Sequence, residues 1–193
     1  RSELEKYHEG LMVLSACIAG EVPSKVLKGD IDGAREACQW YHNLFGDDYY
    51  LELQRHEVKD PNLIANRETF PLQQKANEVL IRFAKEYGIK LVCTNDCHFE
   101  DKETAEAHDH LLCLATGKDL NDPNRMRYTK QEWFKTREEM NEVFADIPEA
   151  LSNTLEVLDK VEFYSIDHGP IMPFFPIPES FGTEEDIRKK YTK

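Results

Sequence analysis

No stretch of this 193-residue sequence approaches the ~18 consecutive apolar residues that a membrane-spanning helix requires, and no membrane association is expected. The opening residues lack the basic head, apolar stretch and small-residue cleavage site of a secretion signal. The first residue is Arg1, not Met, so the chain reads as a cut from inside a longer protein. Cysteine is sparse and odd in number: the five residues stand at irregular spacing, which fits reduced thiols in the cytoplasm better than a disulfide framework. Positive charge is short as well. Lys plus Arg number 24 against 37 Asp plus Glu, for a net charge of −13. A surface this acidic repels a phosphate backbone, which argues against a main DNA-gripping surface; simple solubility explains the charge equally well. There is no internal repeat and no low-complexity run. What remains is 40 % hydrophobic and 32 % charged residues, the composition of a soluble globular protein with a real core, long enough for one domain or slightly more.

Strand-like and helix-like patterns alternate in the first half. Leu11 to Leu14 is a short apolar run that ends in Ser15-Ala16-Cys17, a buried strand passing into a loop. Ala34, Ala37, Tyr41, Leu44 and Phe45 recur at three- and four-residue spacing before Gly46, the pattern of an amphipathic helix with a glycine stop. Tyr49 to Leu53 is rich in β-favouring aromatics. After a polar loop through Pro61, a second helix is predicted with Leu72, Ala76, Val79, Leu80, Phe83 and Tyr87 on its apolar face and Gly88 at its end. Lys90 to Thr94 is a third strand. Three strands joined by two long helical connections indicate parallel βαβ units, because parallel neighbours need a long crossover. The fold class is therefore α/β.

Beyond Phe99 the pattern is helical. Glu103 to Ala115 has helical period, a loop follows over residues 118–130, and Thr136 with Glu139 forms a capping box. A further helix opens at Asp146 and Pro148, with Leu151, Leu155 and Leu158 as its expected buried stripe. Four prolines between Pro170 and Pro178 predict an extended connector.

Sites in parallel α/β folds form at the carboxyl ends of the strands. Cys17 stands at the first such end, His56 at the second, and Asp96 with His98 at the third. Each is a metal-ligand type, and Asp96-x-His98 has the alternation that puts two side chains on one face. A carboxylate with imidazoles suits a hydrolytic divalent metal such as zinc or manganese. Each residue also has a plain reading: His56 as a hydrogen-bonded histidine, Cys17 as a small buried apolar side chain. His108 and His110, two apart on a helix, face different ways, so one packs inward and one is exposed. Cys38 and Cys113 read as core, and Cys93 and Cys97 have no zinc-ribbon spacing. Arg125 and Arg127 could meet a phosphate or an acidic surface, but a solvated loop is the preferred reading.

Several stretches resemble one family, in the same order and at similar spacing. They are Gly10 to Cys17 with Gly20-Glu21-Val22, Tyr50 to His56, Thr94 to Phe99, Ala107-His108-Asp109, Thr116-Gly117-Lys118 with Asp122 to Arg125, and Phe144 to Ala150 with Asn153-Thr154. They resemble the alpha subunits of bacterial DNA polymerase III. The resemblance implies the later part of a PHP (polymerase and histidinol phosphatase) domain, a distorted βα barrel with a metal cluster at the carboxyl edge of its strands. It carries His56, Asp96 and His98 over as metal ligands and places Cys17 at a strand end where relatives put another. Residues 1–100 would be the late portion of the barrel, 101–169 its helical remainder, and 170–193 a proline-rich connector toward an absent polymerase palm.

By the same resemblance the cofactor is a divalent ion, zinc or manganese, with magnesium as the other option. The parent protein is implied to be a cytoplasmic DNA-directed DNA polymerase that meets DNA through its other domains. Other replicase subunits are implied partners, among them a proofreading subunit. The PHP region is credited with 3′–5′ exonuclease proofreading or with a structural role. The early His-x-His motif of the family is absent here, so the fragment is expected to be inactive by itself, and open strand edges would favour a homodimer. The alternative reading, a stand-alone PHP phosphoesterase, accounts for the metal-type residues but not for the helical tail and connector.

Overall fold

The computed structural model describes residues 1–58, 65–174, 176, 178, 180 and 182–191. The polar loop expected around Pro61 therefore lies outside the described residues. Three strands form one sheet: β1 (Val13–Leu14), β2 (Tyr49–Leu53) and β3 (Lys90–Cys93), in the order β1-β2-β3. Both pairings are parallel, with Val13 opposite Tyr49 and Leu53 opposite Cys93. This is the α/β architecture that the alternation of elements predicts.

Helix α1 (Ser2–Tyr7) precedes the sheet, and the crossover from β1 to β2 is made by α2 (Glu21–Leu27) and α3 (Ile31–Phe45). The second crossover is α4 (Phe70–Tyr87). Asp30 caps α3 by accepting the Gly33 N–H at 3.0 Å, satisfying a donor that the first helical turn leaves without a partner. Gly88 closes α4 in the left-handed region at φ 68°, where a Cβ would be strained. Gly20, ahead of α2, is needed for space: a Cβ there would lie 2.1 Å from the Ser15 carbonyl oxygen.

The core lies between the sheet and the two crossovers. Tyr49, Leu51 and Leu53 of β2 meet Val22 and Val26 of α2, Ala34, Ala37 and Cys38 of α3, and Leu80 and Phe83 of α4. A central strand buried on both faces is what a parallel sheet covered by helices requires. The buried face of α4 differs from the predicted one. Leu72 is 42 % exposed, whereas Gln73 and Asn77 are buried. These two amides serve the backbone beyond β2, the Gln73 oxygen accepting the His56 N–H at 2.8 Å and Asn77 donating to the Gln54 carbonyl at 2.9 Å. Hydrophobic periodicity cannot see polar residues buried to satisfy a strand end.

The second half adds α5 (Ala105–Thr116), α6 (Arg137–Val143) and α7 (Pro148–Lys160). The capping box at Thr136 and Glu139 is formed. Helix α7 packs on β3, with Ala150 fully buried and Asn153 donating to the Leu91 carbonyl at 2.8 Å. Its expected stripe is displaced: Leu155 and Leu158 are exposed, because Asn153 and Glu156 face the strands. Glu156 accepts from Tyr50 at 2.7 Å and from Lys90 at 2.8 and 2.6 Å, tying α7 to β2 and β3.

Residues 1–161 form one compact unit and 162–193 another. Within the second, the described part of the Pro170 to Pro178 stretch has no regular structure. A helix not anticipated there, α8 (Glu184–Tyr191), follows it. Its start is fixed by Thr183, which donates to Asp186 at 2.6 Å and accepts its N–H at 3.2 Å. Among the described residues no helix is long and apolar enough to cross a membrane.

Candidate metal-edge site

The carboxyl ends of β2 and β3 lead into the segments that hold His56 and Asp96. Their side-by-side exit follows from the register: Thr94 N–H bonds the Leu53 carbonyl at 3.1 Å, extending the pairing one residue past β3. The chain then turns at Asp96, which has φ 48°. An aspartate tolerates that left-handed conformation better than most residues.

The turn brings Asp96 Oδ1 to 3.4 Å from His98 Nε2, with the two side chains 40 % and 34 % exposed. They form an open carboxylate–imidazole pair at the sheet edge. The His98 ring lies 4.2 Å, centroid to centroid, from Tyr128 and 6.0 Å from His108, and His108 also packs on Phe99 at 5.1 Å. His110 instead is exposed and bonds the Glu106 carbonyl at 2.7 Å. The two helix histidines thus part as their spacing predicts. Burial raises the Tyr128 hydroxyl above its ordinary pKa, helped by Asp96, Glu132 and the thiol of Cys17. Cys17, in the loop after β1, is half-buried.

His56 is placed differently. It is 2 % exposed, and both ring nitrogens face protein groups: Nε2 is 3.2 Å from the Asn95 carbonyl, and Nδ1 is 3.2 Å from Gln73 Nε2 and 3.4 Å from Glu132 Oε1. Burial lowers its pKa below the usual imidazole value, against the pull of Glu132. Among the described residues, no three His, Cys, Asp or Glu side chains stand close enough together to hold a metal ion. Asp96 and His98 are brought together, and His56 lies behind them with its nitrogens already engaged.

The segment 128–135, which the sequence patterns leave as loop and approach to a helix, is what holds this corner. Phe99 and Trp133 form a parallel bridge, and the His98 N–H bonds the Glu132 carbonyl at 2.8 Å. Asn95 Nδ2 donates to the carbonyls of Gln131 and Trp133, each at 2.8 Å, and its Oδ1 accepts from Lys135 at 3.1 Å. The Lys135 ammonium also bonds the Gln131 carbonyl and sits 3.5 Å above the Trp133 ring. Burial brings its pKa down to about 8. Glu132, 1 % exposed, accepts the Thr129 N–H at 2.9 Å, the Thr129 hydroxyl at 2.6 Å and the Gln131 N–H at 2.9 Å. Buried polar groups are tolerated when they are hydrogen-bonded, and no buried side-chain polar atom of this segment lacks a partner. Its one sequence-level signal is the run of polar residues flanking Trp133.

Arg125 is neither solvated nor free for a phosphate. It forms a bidentate pair with Asp109 at 2.6 and 2.7 Å, largely out of solvent. That pair fastens the 118–130 loop to α5, and the guanidinium holds the Asp109 carboxyl below the usual carboxylate range. Arg55, beside His56, makes a second fork to Asp146 at 2.5 and 2.9 Å and a bond to the Val143 carbonyl at 3.0 Å.

The sequence profile of the PHP domain matches residues 1–56. Over nearly its whole length the chain is similar to curated proteins named DNA polymerase III subunit alpha. It is 38 % identical to that of Borreliella burgdorferi over 185 residues and 38 % identical to that of Campylobacter jejuni over 196 residues. It is 34 % identical to that of Treponema pallidum over 184 residues. These alignments cover 94 to 95 % of this chain, which spans about 15 % of the length of each relative.

Proposed function

We propose, from the premise that this chain is similar over 95 % of its length to DNA polymerase III alpha subunits, that it is a segment of the polymerising subunit of a bacterial replicase. One observation carries this reading: the similarity extends over the PHP portion, the helices α5 to α7 and the stretch beyond them. The enzyme so inferred is a DNA-directed DNA polymerase of the cytoplasm. With a net charge of −13, this segment leaves the gripping of DNA to other parts of the parent protein. Other replicase subunits, a proofreading subunit among them, are the protein partners this reading names.

Within that protein the edge formed by Asp96 and His98 would hold a divalent cation, zinc or manganese before magnesium. The donor types fit such an ion, and the exposed Asp96–His98 pair leaves it approachable. Two donors at one point do not complete a coordination shell, so further ligands must come to this edge, and Cys17, in the loop after β1, is one candidate of suitable type. A cation there supplies a Lewis acid and a water of lowered pKa, the chemistry of phosphodiester cleavage. Asp96 and His98 themselves would fix its position, and Lys135 holds the side chain of Asn95, the residue before Asp96.

The test is made on the parent protein. Template-directed nucleotide incorporation is the expected activity, and its absence would refute the polymerase reading. Metal content and manganese- or zinc-dependent 3′–5′ exonuclease are measured with and without Asp96→Asn and His98→Ala. Bound metal lost in both variants supports the site. Metal retained in both would place it elsewhere.

A further inference from the structure

The geometry points to His56 as a positioning residue, a neutral imidazole that donates through Nε2 to the Asn95 carbonyl and so holds the Asp96–His98 turn, not a ligand itself. The inference rests on the proposed role of Asp96 and His98 only for its consequence; the hydrogen bonding stands without it.

The orientation of Gln73 decides the proton. Its Oε1 accepts the His56 backbone N–H at 2.8 Å, so its other terminus is the NH2 group, which lies 3.2 Å from His56 Nδ1. An NH2 can only donate. Nδ1 must therefore accept and carry no hydrogen, which leaves the proton on Nε2. That nitrogen is 3.2 Å from the Asn95 carbonyl, which can only accept. Glu132 Oε1, 3.4 Å from Nδ1, does not change the assignment. It already receives the Thr129 N–H and hydroxyl, and its partner oxygen receives the Gln131 N–H. The oxygen that faces His56 already receives two neutral donors, and it does not need an imidazolium.

Asn95 is then held at every polar atom beyond its N–H. Its carbonyl is held by His56, its amide nitrogen by two carbonyls of the 128–135 segment, and its amide oxygen by Lys135. It directly precedes Asp96, whose backbone is in the left-handed region. A non-glycine residue kept there is strained and persists when its surroundings over-determine it. His56 is the part of that restraint contributed by the end of β2.

The experiment uses the 193-residue chain labelled with 15N at histidine, at a single pH of about 7.5, with long-range 15N–1H spectra read before and after adding Zn2+. An unprotonated Nδ1 and protonated Nε2 on His56, unmoved by zinc while the His98 ring shifts, is the expected result. A protonated Nδ1, a cationic ring, or a zinc-induced shift at His56 overturns the proposal. If zinc moves neither ring, the metal reading fails for this chain, and the His56 tautomer still decides the positioning role. Two variants add a second readout. His56→Leu removes the donor and should speed exchange of the His98 amide, bonded to Glu132, by about tenfold, equivalent to one lost hydrogen bond of ~1.4 kcal/mol. His56→Gln, which keeps a side-chain N–H, should recover most of that protection. An unchanged His98 exchange rate in a folded His56→Leu chain refutes the positioning role, and the wild-type tautomer decides if the variant does not fold.

Discussion

Replacing Glu132 by Gln isolates the worth of a buried carboxylate that has no charged partner in hydrogen-bond contact. The change conserves shape, so packing around a side chain 1 % exposed stays constant and no cavity opens. One acceptor oxygen becomes an NH2. The better orientation keeps the remaining oxygen toward Thr129, whose N–H and hydroxyl lie at 2.9 and 2.6 Å. The NH2 then faces the Gln131 N–H, now 2.9 Å from an acceptor, and two donors confront each other. A buried donor without a partner costs about 1–3 kcal/mol, and hydrogen bonds to a charged group exceed those to a neutral one by roughly 1 kcal/mol. Against this stands relief from burying a charge, which removes part of the loss. A net destabilisation of about 2 kcal/mol follows. With a urea dependence of roughly 2 kcal/mol per molar, the midpoint should fall by about 1 M. Equilibrium urea unfolding followed by far-ultraviolet circular dichroism measures it. A midpoint that stays within ~0.2 M of wild type, or rises, would refute the reasoning and mean that desolvation of the carboxylate outweighs the three bonds it accepts.

Glu156 predicts an acid limb. Hydrogen bonding to Lys90, then to Tyr50, holds its carboxyl down to about 2, from an ordinary value near 4.5. The unfolded chain therefore binds this proton more readily, so the contribution of Glu156 is full above about pH 4.5 and is lost as pH falls toward 2. The stability difference between wild type and Glu156→Gln should shrink over that window in unfolding curves taken from pH 6 to 2; a constant difference would refute the assignment. Gly20→Ala should destabilise the fold by roughly 1–3 kcal/mol, because the new methyl meets a backbone oxygen at 2.1 Å that cannot swing aside. A thermal midpoint unchanged from wild type would show that the β1–α2 turn yields more easily than its packing suggests.

The strands and the long helices were legible because their signals are local. The β-favouring aromatics Tyr49 and Tyr50 mark β2, glycines in the left-handed region close α4 and α5, and Thr136 with Glu139 announces α6. Helix α2 was not, since seven residues with Pro23 inside them give too short a period to register. Leu155 and Leu158 misled for a different cause: apolar spacing identifies a helix face without saying which face a strand will take, and Asn153 and Glu156 supplied the contacts that decided it. At the candidate site, Asp96 and His98 were visible as a strand-end pair. Gln73, Asn95 and Lys135 were not, because each acquires its meaning from a partner far along the chain, nor was Glu132, which is buried inside its own loop.

The clamp on Asn95 bears on the order in which this protein is made. His56 and Gln73 leave the ribosome well before Asn95, and Glu132 and Lys135 follow only after a further helix. At about 5–20 residues per second, the sheet has several seconds to assemble before residues 128–135 can close over its edge. During that interval Asn95 has one of its four described side-chain and carbonyl contacts, the one to His56, and metal ions present in the cell meet an unfinished corner. Residues 128–135 are thus the last part of this corner to be made: until they dock, His56 alone restrains Asn95 among the partners described.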